Sequence, residues 1–161
     1  MMKNWILFGI MFIASLAIVV TVLVLWKAEA PFMDATKQAE ELALSEKKLT
    51  HVIESYTYNG NKPYVTVIGT DAQGKEKAVF VPTSLDRKQI QEVYLEEGIT
   101  KEQALDVLSG DVPVNEVLHT KLGVEETGVV WEITYLNEKD NLNYVYILFE
   151  DGQWWKRILN L

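Results

Sequence analysis

The architecture of this chain is read most directly from residues 61–84, NKPYVTVIGTDAQGKEKAVFVPTS. Its two apolar runs are rich in β-branched residues and have the alternating pattern of strands. Asp71-Ala72-Gln73-Gly74 between them has the composition of a hairpin turn. A third β-rich run, HVIESYTYNG at residues 51–60, is separated from them by Asn59-Gly60-Asn61. The sequence therefore predicts adjacent antiparallel strands.

This hairpin pattern occurs a second time, 67 residues later. Tyr64-Val-Thr-Val-Ile corresponds to Trp131-Glu-Ile-Thr-Tyr, and Ala78-Val-Phe-Val corresponds to Val145-Tyr-Ile-Leu at the same offset. Four β-rich runs lie within residues 114–161. The segment 88–95 fits either a helix or a strand, and the repeat favours a strand.

A predicted helix precedes each group of strands. Residues 28–49 are predicted to form an amphipathic helix, with Pro31 in the turn between the anchor and this helix. A second helix begins after Thr100, with Gln103 completing a capping box, and ends at Gly110. We therefore expect an α+β fold of two units, residues 31–97 and 98–161, each a helix packed on an antiparallel β-sheet.

An uncharged stretch of twenty residues, Ile6 to Leu25, lies near the start of the chain between Trp5 and Trp26. As a helix it would be roughly 30 Å long, the thickness of a bilayer core. It predicts a transmembrane anchor at residues 6–26. The alternative is a signal peptide cleaved after Ala28-Glu29-Ala30, but the apolar run is longer than a signal peptide needs, and Pro31 would follow the cut.

The few charges around the anchor set the expected orientation. The amino terminus and Lys3 precede the apolar stretch, whereas Lys27 and Glu29 follow it. Positive charge favours the inner side, so residues 1–5 are expected to form a short cytoplasmic tail. The chain is then a single-pass protein of the cell membrane whose C-terminal domain is extracytoplasmic.

Composition excludes several classes of function. All 23 acidic residues and all but one of the 15 basic residues follow the anchor, which gives this part a formal charge of −9. Such a charge disfavours nucleic acid as a partner. The absence of cysteine excludes disulfides, thiol catalysis and most structural zinc sites.

Motifs of catalysis and metal binding are nearly absent. Ser45-Glu46-Lys47-Lys48 matches the S-x-x-K motif of penicillin-binding enzymes, but its companion motifs are missing. His51 and His119 have no ligand-type residue at metal spacing and are interpreted as structural. We expect no enzyme, no catalytic or metal residue, no cofactor and no small-molecule substrate.

Aromatic residues are concentrated in the second half. Trp154 and Trp155 are adjacent in a predicted strand, so they face opposite sides of the sheet and one can belong to the core. The other is either covered by the neighbouring unit or exposed as a contact for another protein. Packing is the favoured interpretation, and both residues remain candidate protein contacts.

Several of these segments together resemble a known family. They are Tyr64-Val-Thr-Val-Ile-Gly-Thr-Asp, Val79-Phe-Val-Pro82, Glu97-Gly-Ile-Thr-Lys-Glu-Gln-Ala104 and Trp131-Glu-Ile-Thr-Tyr-Leu136. With the anchor and the charged helix, this order is similar to the YpmB proteins of Gram-positive bacilli, also called TseB, the cell wall elongation regulator. The second half also resembles a PepSY domain. Trp154, Trp155 and the turn near Asn141 depart from the family pattern.

The resemblance implies two cystatin-like or PepSY-like units after the transmembrane helix. It implies a non-enzymatic regulator of peptidoglycan elongation that contacts a membrane-anchored penicillin-binding transpeptidase. The PepSY-like half suggests an alternative, an inhibitor or chaperone-like partner of an exported protease. The resemblance assigns no catalytic residue.

Overall fold

The computed structural model describes the backbone of residues 2–161 and the side chains of residues 6–24 and 34–161. The chain divides into two compact units, Met1–Ala35 and Thr36–Leu161. The elements are α1 (Met2–Ser45), β1 (His51–Asn59), β2 (Pro63–Thr70), β3 (Glu76–Pro82), β4 (Gln91–Tyr94), α2 (Lys101–Asp111), β5 (Glu116–Glu125), β6 (Gly128–Leu136), β7 (Leu142–Leu148) and β8 (Trp154–Ile158).

The first unit contains the apolar part of α1. Residues Ile6–Val24 have a mean hydropathy of 2.8 and are long and apolar enough to cross a membrane. The hydroxyls of Ser15 and Thr21 donate to the carbonyls of Phe12 and Ala17 within the same helix. Neither hydroxyl therefore needs water as a partner, which suits an apolar surrounding.

The helix α1 differs from the sequence prediction at both ends of the amphipathic segment, because it is continuous with the anchor and ends at Ser45, whereas the predicted helix ends at Leu49. Its backbone is helical through Pro31, where the sequence predicts a turn. Proline fixes φ near a helical value, although it removes one backbone hydrogen-bond donor from the helix. Trp5 and Trp26, which bound the predicted anchor, lie outside the described side chains.

The first sheet has the strand order β1-β2-β3-β4 and is antiparallel throughout, which confirms the predicted hairpin. In its central turn, Oδ1 of Asp71 accepts hydrogen bonds from the amides of Gln73 at 2.8 Å and Lys75 at 2.9 Å. Gly74 supplies the left-handed residue with φ of 79°. The amide of Lys75, and then that of Gln73, lowers the pKa of Asp71.

The ambiguous segment 88–95 contains a short strand. β4 pairs with β3 over four residues, and 3-10 turns at Arg87–Gln89 and Leu95–Glu97 flank it. The strand prediction is therefore confirmed for Gln91–Tyr94. A strand of four residues is too short for its alternation of apolar and polar residues to be distinguished from a helical pattern.

The second sheet has the order β5-β6-β7-β8 and is also antiparallel. The two repeated sequence segments occupy equivalent places, because β2–β3 and β6–β7 are the central hairpins of their sheets. The predicted correspondence of the hairpins is confirmed. The structure is thus α+β, with an N-terminal apolar helix and two antiparallel sheets of four strands.

The C-terminal part of α1 and the helix α2 both pack against the sheets. In the last turns of α1, Ala39 and Ala43 are buried, and Glu40 accepts a hydrogen bond from Ser55 of β1. In α2, Ala104 and Leu108 are fully buried in the main core. The packing of α2 on the second sheet positions the segment that precedes it.

The capping box of α2 is confirmed. Thr100 Oγ1 accepts from the Gln103 amide at 3.2 Å, and Gln103 Oε1 accepts from the Thr100 amide at 2.8 Å. The predicted end at Gly110 is one residue early, because the Val112 amide still donates to the Leu108 carbonyl.

One hydrophobic core joins the two sheets. Tyr64, Ile68 and Phe80 of the first sheet belong to the same cluster as Leu122 and Trp131 of the second. The second sheet meets the first along β5, which is an edge strand. The packing of one sheet on the edge of the other creates the surfaces described next.

Candidate functional site

Trp154 lies on the core side of β8. It is half-buried, packs against the main core, and pairs with Ile147 across the sheet. The guanidinium of Arg157 is 3.7 Å from the centre of its ring, and this guanidinium also pairs with Asp111 at the end of α2. Trp154 is therefore mainly a packing residue.

Trp155 lies at an irregularity in the β7–β8 pairing. Tyr146 pairs with Lys156 and Ile147 pairs with Trp154, so Trp155 itself has no partner in the ladder. This bulge places the indole against Tyr146, with ring centres 5.8 Å apart and planes at 81°. The Lys156 ammonium lies 5.8 Å from the Trp155 ring and 5.5 Å from the Tyr146 ring. We call Tyr146, Trp155 and Lys156 the aromatic surface.

A polar depression of about 380 Å³ adjoins the aromatic surface. The β1–β2 turn and the β5–β6 turn form its other sides. Tyr58 donates to Oε1 of Glu125 at 2.8 Å, the Asn61 amide donates to Oε2 of Glu125 at 3.3 Å, and the Asn61 side chain donates to Glu126 at 2.7 Å. The carboxylates of Glu125 and Glu126 therefore already accept hydrogen bonds within the protein.

A larger groove of about 580 Å³ lies on another part of the same unit, and we call it the acidic groove. Ile68, Trp131 and Phe149 form its buried floor. The Trp131 indole donates to the Ile99 carbonyl at 2.9 Å, so its polar atom is satisfied and its ring contributes an apolar face. Ile53 lies at the rim and is 53% exposed.

Carboxylates surround this apolar floor. The lining includes one lysine, Lys101, and four glutamates, Glu54, Glu76, Glu96 and Glu102. Glu96 forms an exposed ion pair with Lys75. The carboxyl of Glu102 has a lowered pKa because its own amide and then the Thr100 hydroxyl donate to it. The groove is therefore apolar at its base and negative at its mouth.

The sequence did not reveal the acidic groove. Ile53 projects there because β1 has an irregularity between Val52 and Glu54, and a regular alternation cannot show where a bulge re-aims a side chain. β5 has the matching irregularity between Val117 and His119. The corresponding residue, Leu118, is 46% exposed but lies outside the groove.

The two residues of the S-x-x-K motif do not form an activated pair. The Ser45 hydroxyl donates to the Leu42 carbonyl at 3.0 Å, and the Lys48 ammonium pairs with Glu92 at 3.3 Å. His119 contacts Thr134 at 2.8 Å. Among the described side chains, no group of three or more histidines and acidic residues is arranged to hold a metal ion.

Comparisons with known proteins match most of this chain. The family model of the cell wall elongation regulator TseB-like domain matches residues 38–82, which run from the end of α1 through β3. A protein of Bacillus subtilis (strain 168) described as probable cell wall elongation regulator TseB is 29% identical over 153 residues, 95% of this chain and 93% of that protein. The solved structure of the YpmB protein from Bacillus subtilis has 31% sequence identity and a TM-score of 0.65, covering 74% of this chain and 95% of that one.

Proposed function

Because the chain belongs to the TseB/YpmB family, we propose that it is a non-enzymatic, membrane-anchored regulator of cell wall elongation. The observation that carries this proposal is the likeness to the Bacillus subtilis regulator over nearly the full length of both chains. The contacts of Ser45 and Lys48 support a role without catalysis, because both side chains already have other partners.

The anchor and its orientation are part of the proposal. The apolar segment of α1 supports insertion into the cell membrane. The weak bias of positive charge before it supports a cytoplasmic amino terminus and an extracytoplasmic domain. We also propose that each sheet with its helix is a cystatin-like unit, and that the second is PepSY-like, with the units at residues 31–97 and 98–161.

We propose that regulation works through direct contact with a penicillin-binding transpeptidase. The aromatic surface supports a protein contact, since tryptophan and tyrosine are enriched at the centres of interfaces. Trp155 is the residue of this surface whose backbone has no ladder partner. Trp154, the neighbouring residue in β8, is the second candidate protein contact.

Photocrosslinking in cells tests this function. A photoreactive amino acid at position 155 should capture a protein that a fluorescent penicillin labels, whereas the same group at Lys139, exposed in the β6–β7 turn, should not. The gene should also restore wall synthesis, measured by incorporation of a fluorescent D-amino acid, in Bacillus subtilis lacking TseB. Failure of both capture and restoration would contradict the proposal, and direct labelling of this chain by penicillin would contradict a non-enzymatic role.

A further inference from the structure

The acidic groove combines an exposed apolar rim with a buried apolar floor. Ile53 is more than half exposed on an edge strand, and Ile68 and Trp131 lie below it. The volume of about 580 Å³ falls within the range of roughly 300–1,000 Å³ that is typical of ligand pockets. An occupant would cover Ile53 and remove this apolar surface from water.

The negative charge around this floor is only partly balanced, because four glutamates of the lining face one lysine, Lys101, and one ion pair with Lys75. Within the described part of the chain, Glu54 and Glu76 form no ion pair with a lysine or arginine, whereas Glu96 has Lys75. Glu102 remains ionised because the start of α2 donates hydrogen bonds to it. A cationic group at the mouth would therefore be favoured by several carboxylates together.

The start of α2 does not reverse the preference of the groove for a cationic occupant. A helix N-terminus attracts anions through free backbone amides. Here Thr100 and Gln103 satisfy each other's amides, and the Glu102 carboxylate lies in the first turn. An anionic occupant would meet the four glutamates of the lining, which outnumber its one lysine.

We propose that the acidic groove binds a short peptide segment of another protein in which lysine or arginine alternates with apolar side chains. The apolar side chains lie against Ile53, Ile68 and Trp131. The cations lie beside Glu54 and Glu76. The inference rests on the proposed function in one respect, that the chain acts by contact with another protein. It does not depend on which protein that is.

Peptide binding to the full chain in non-ionic detergent micelles tests this site. The probes are three short fluorescein-labelled peptides of equal length: alternating lysine and leucine, alternating glutamate and leucine, and alternating lysine and serine. Fluorescence anisotropy should show the lysine–leucine peptide binding about tenfold more tightly than either of the others, after subtraction of binding to empty micelles. Binding should weaken as salt is added. Equal binding of the glutamate–leucine peptide would overturn the proposal.

Matched variants locate the binding. Ile53→Ser should weaken the lysine–leucine peptide about fivefold, whereas Leu118→Ser, the corresponding bulge residue of the second sheet, should change it by less than about twofold. The double variant Glu54→Gln/Glu76→Gln should weaken it about fivefold, and Glu116→Gln/Glu138→Gln, exposed glutamates outside the groove, should not. Equal effects of groove and control variants would place the binding elsewhere and overturn the proposal.

The two proposals fail in different experiments. If the peptide binds but no penicillin-labelled protein is captured in cells, the groove stands and the partner is another protein. If capture succeeds and the groove variants leave peptide binding unchanged, the regulator function stands and the groove proposal is wrong.

Discussion

The Tyr56 hydroxyl accepts a hydrogen bond of 2.9 Å from the backbone amide of Leu122, and Thr66 Oγ1 donates to the Leu122 carbonyl at 2.9 Å. Leu122 belongs to β5, which is an edge strand of the second sheet. Its backbone amide and carbonyl therefore bond to side chains of the first sheet and not to a neighbouring strand. Two side chains of the first sheet therefore complete the backbone hydrogen bonding of the second. They also cover an edge that would otherwise be open to pairing with another chain.

Tyr56→Phe should destabilise the unit Thr36–Leu161 by about 1–3 kcal/mol, because the buried Leu122 amide loses its partner. Urea unfolding of the full chain in micelles, followed by tryptophan fluorescence, measures this loss. Tyr144→Phe is the control, because the Tyr144 hydroxyl makes no hydrogen bond to a described residue. Equal stability of the two variants would contradict the bridging role of Tyr56.

Alkaline pH should destabilise the protein through its buried tyrosines. Burial, and then the hydrogen bond to Glu125, raises the pKa of Tyr58 far above its ordinary value. The folded state thus keeps the proton after the unfolded state has lost it near pH 10, so stability is full below about pH 10 and falls above it. The fall is on the order of 1.4 kcal/mol per pH unit for each such tyrosine. In urea unfolding at several pH values, Tyr58→Phe should reduce this slope, and an unchanged slope would contradict the assignment.

Gly123→Ala should destabilise the protein by about 1–3 kcal/mol through overpacking. A Cβ at Gly123 would overlap the ring of Tyr58, which is buried and held by Glu125. Gly110→Ala is the matched control, because nothing lies within 4 Å of its Cβ position and the residue is helical. That variant should gain about 0.5–1 kcal/mol. Thermal unfolding midpoints that shift in the same direction would disprove the packing argument.

Substitutions of the two adjacent tryptophans should differ in their effects on stability and on binding of the proposed partner. Trp154→Ala should cost about 2 kcal/mol in urea unfolding, since its ring packs on the core and on Arg157. Trp155→Ala should cost less and should reduce capture of the penicillin-labelled partner more strongly, with the photoreactive group moved to position 156. Capture that depends on Trp154 alone would exclude the aromatic surface as the contact.

A flexible Gly/Ser insertion after Lys27 should weaken restoration of wall synthesis if the domain acts close to the membrane. Such a linker extends the reach by about 5–6 Å times the square root of its length. The control carries the same insertion in the exposed β6–β7 turn after Glu138. Full restoration by the first variant would show that distance from the membrane is unimportant.

The sequence predicted those features that depend on neighbouring residues. The Asp71 turn and the Thr100–Gln103 capping box use partners within four positions, and both are present. The repeat identified the central hairpins because the alternation was preserved in both copies. Family membership followed from the same segments.

The aromatic surface and the acidic groove depend on structural features that the alternation of apolar and polar residues in the sequence does not show. Bulges place both Ile53 and Trp155, and each bulge shifts a side chain relative to the regular pattern. The acidic groove also needs the first sheet, the start of α2 and Trp131 of the second sheet together. No single segment of the sequence contains that arrangement.

The contacts that join the sheets have a kinetic consequence. Each hairpin closes over a short loop, whereas Tyr56 and Leu122 are 66 positions apart and Tyr58 and Glu125 are 67 apart. Contacts between distant residues carry a larger closure entropy, so the hairpins should form first and the sheets should dock late. Substitutions at this junction should then accelerate unfolding and leave the folding rate almost unchanged. The lifetime of the folded state would then depend mainly on the β5 edge.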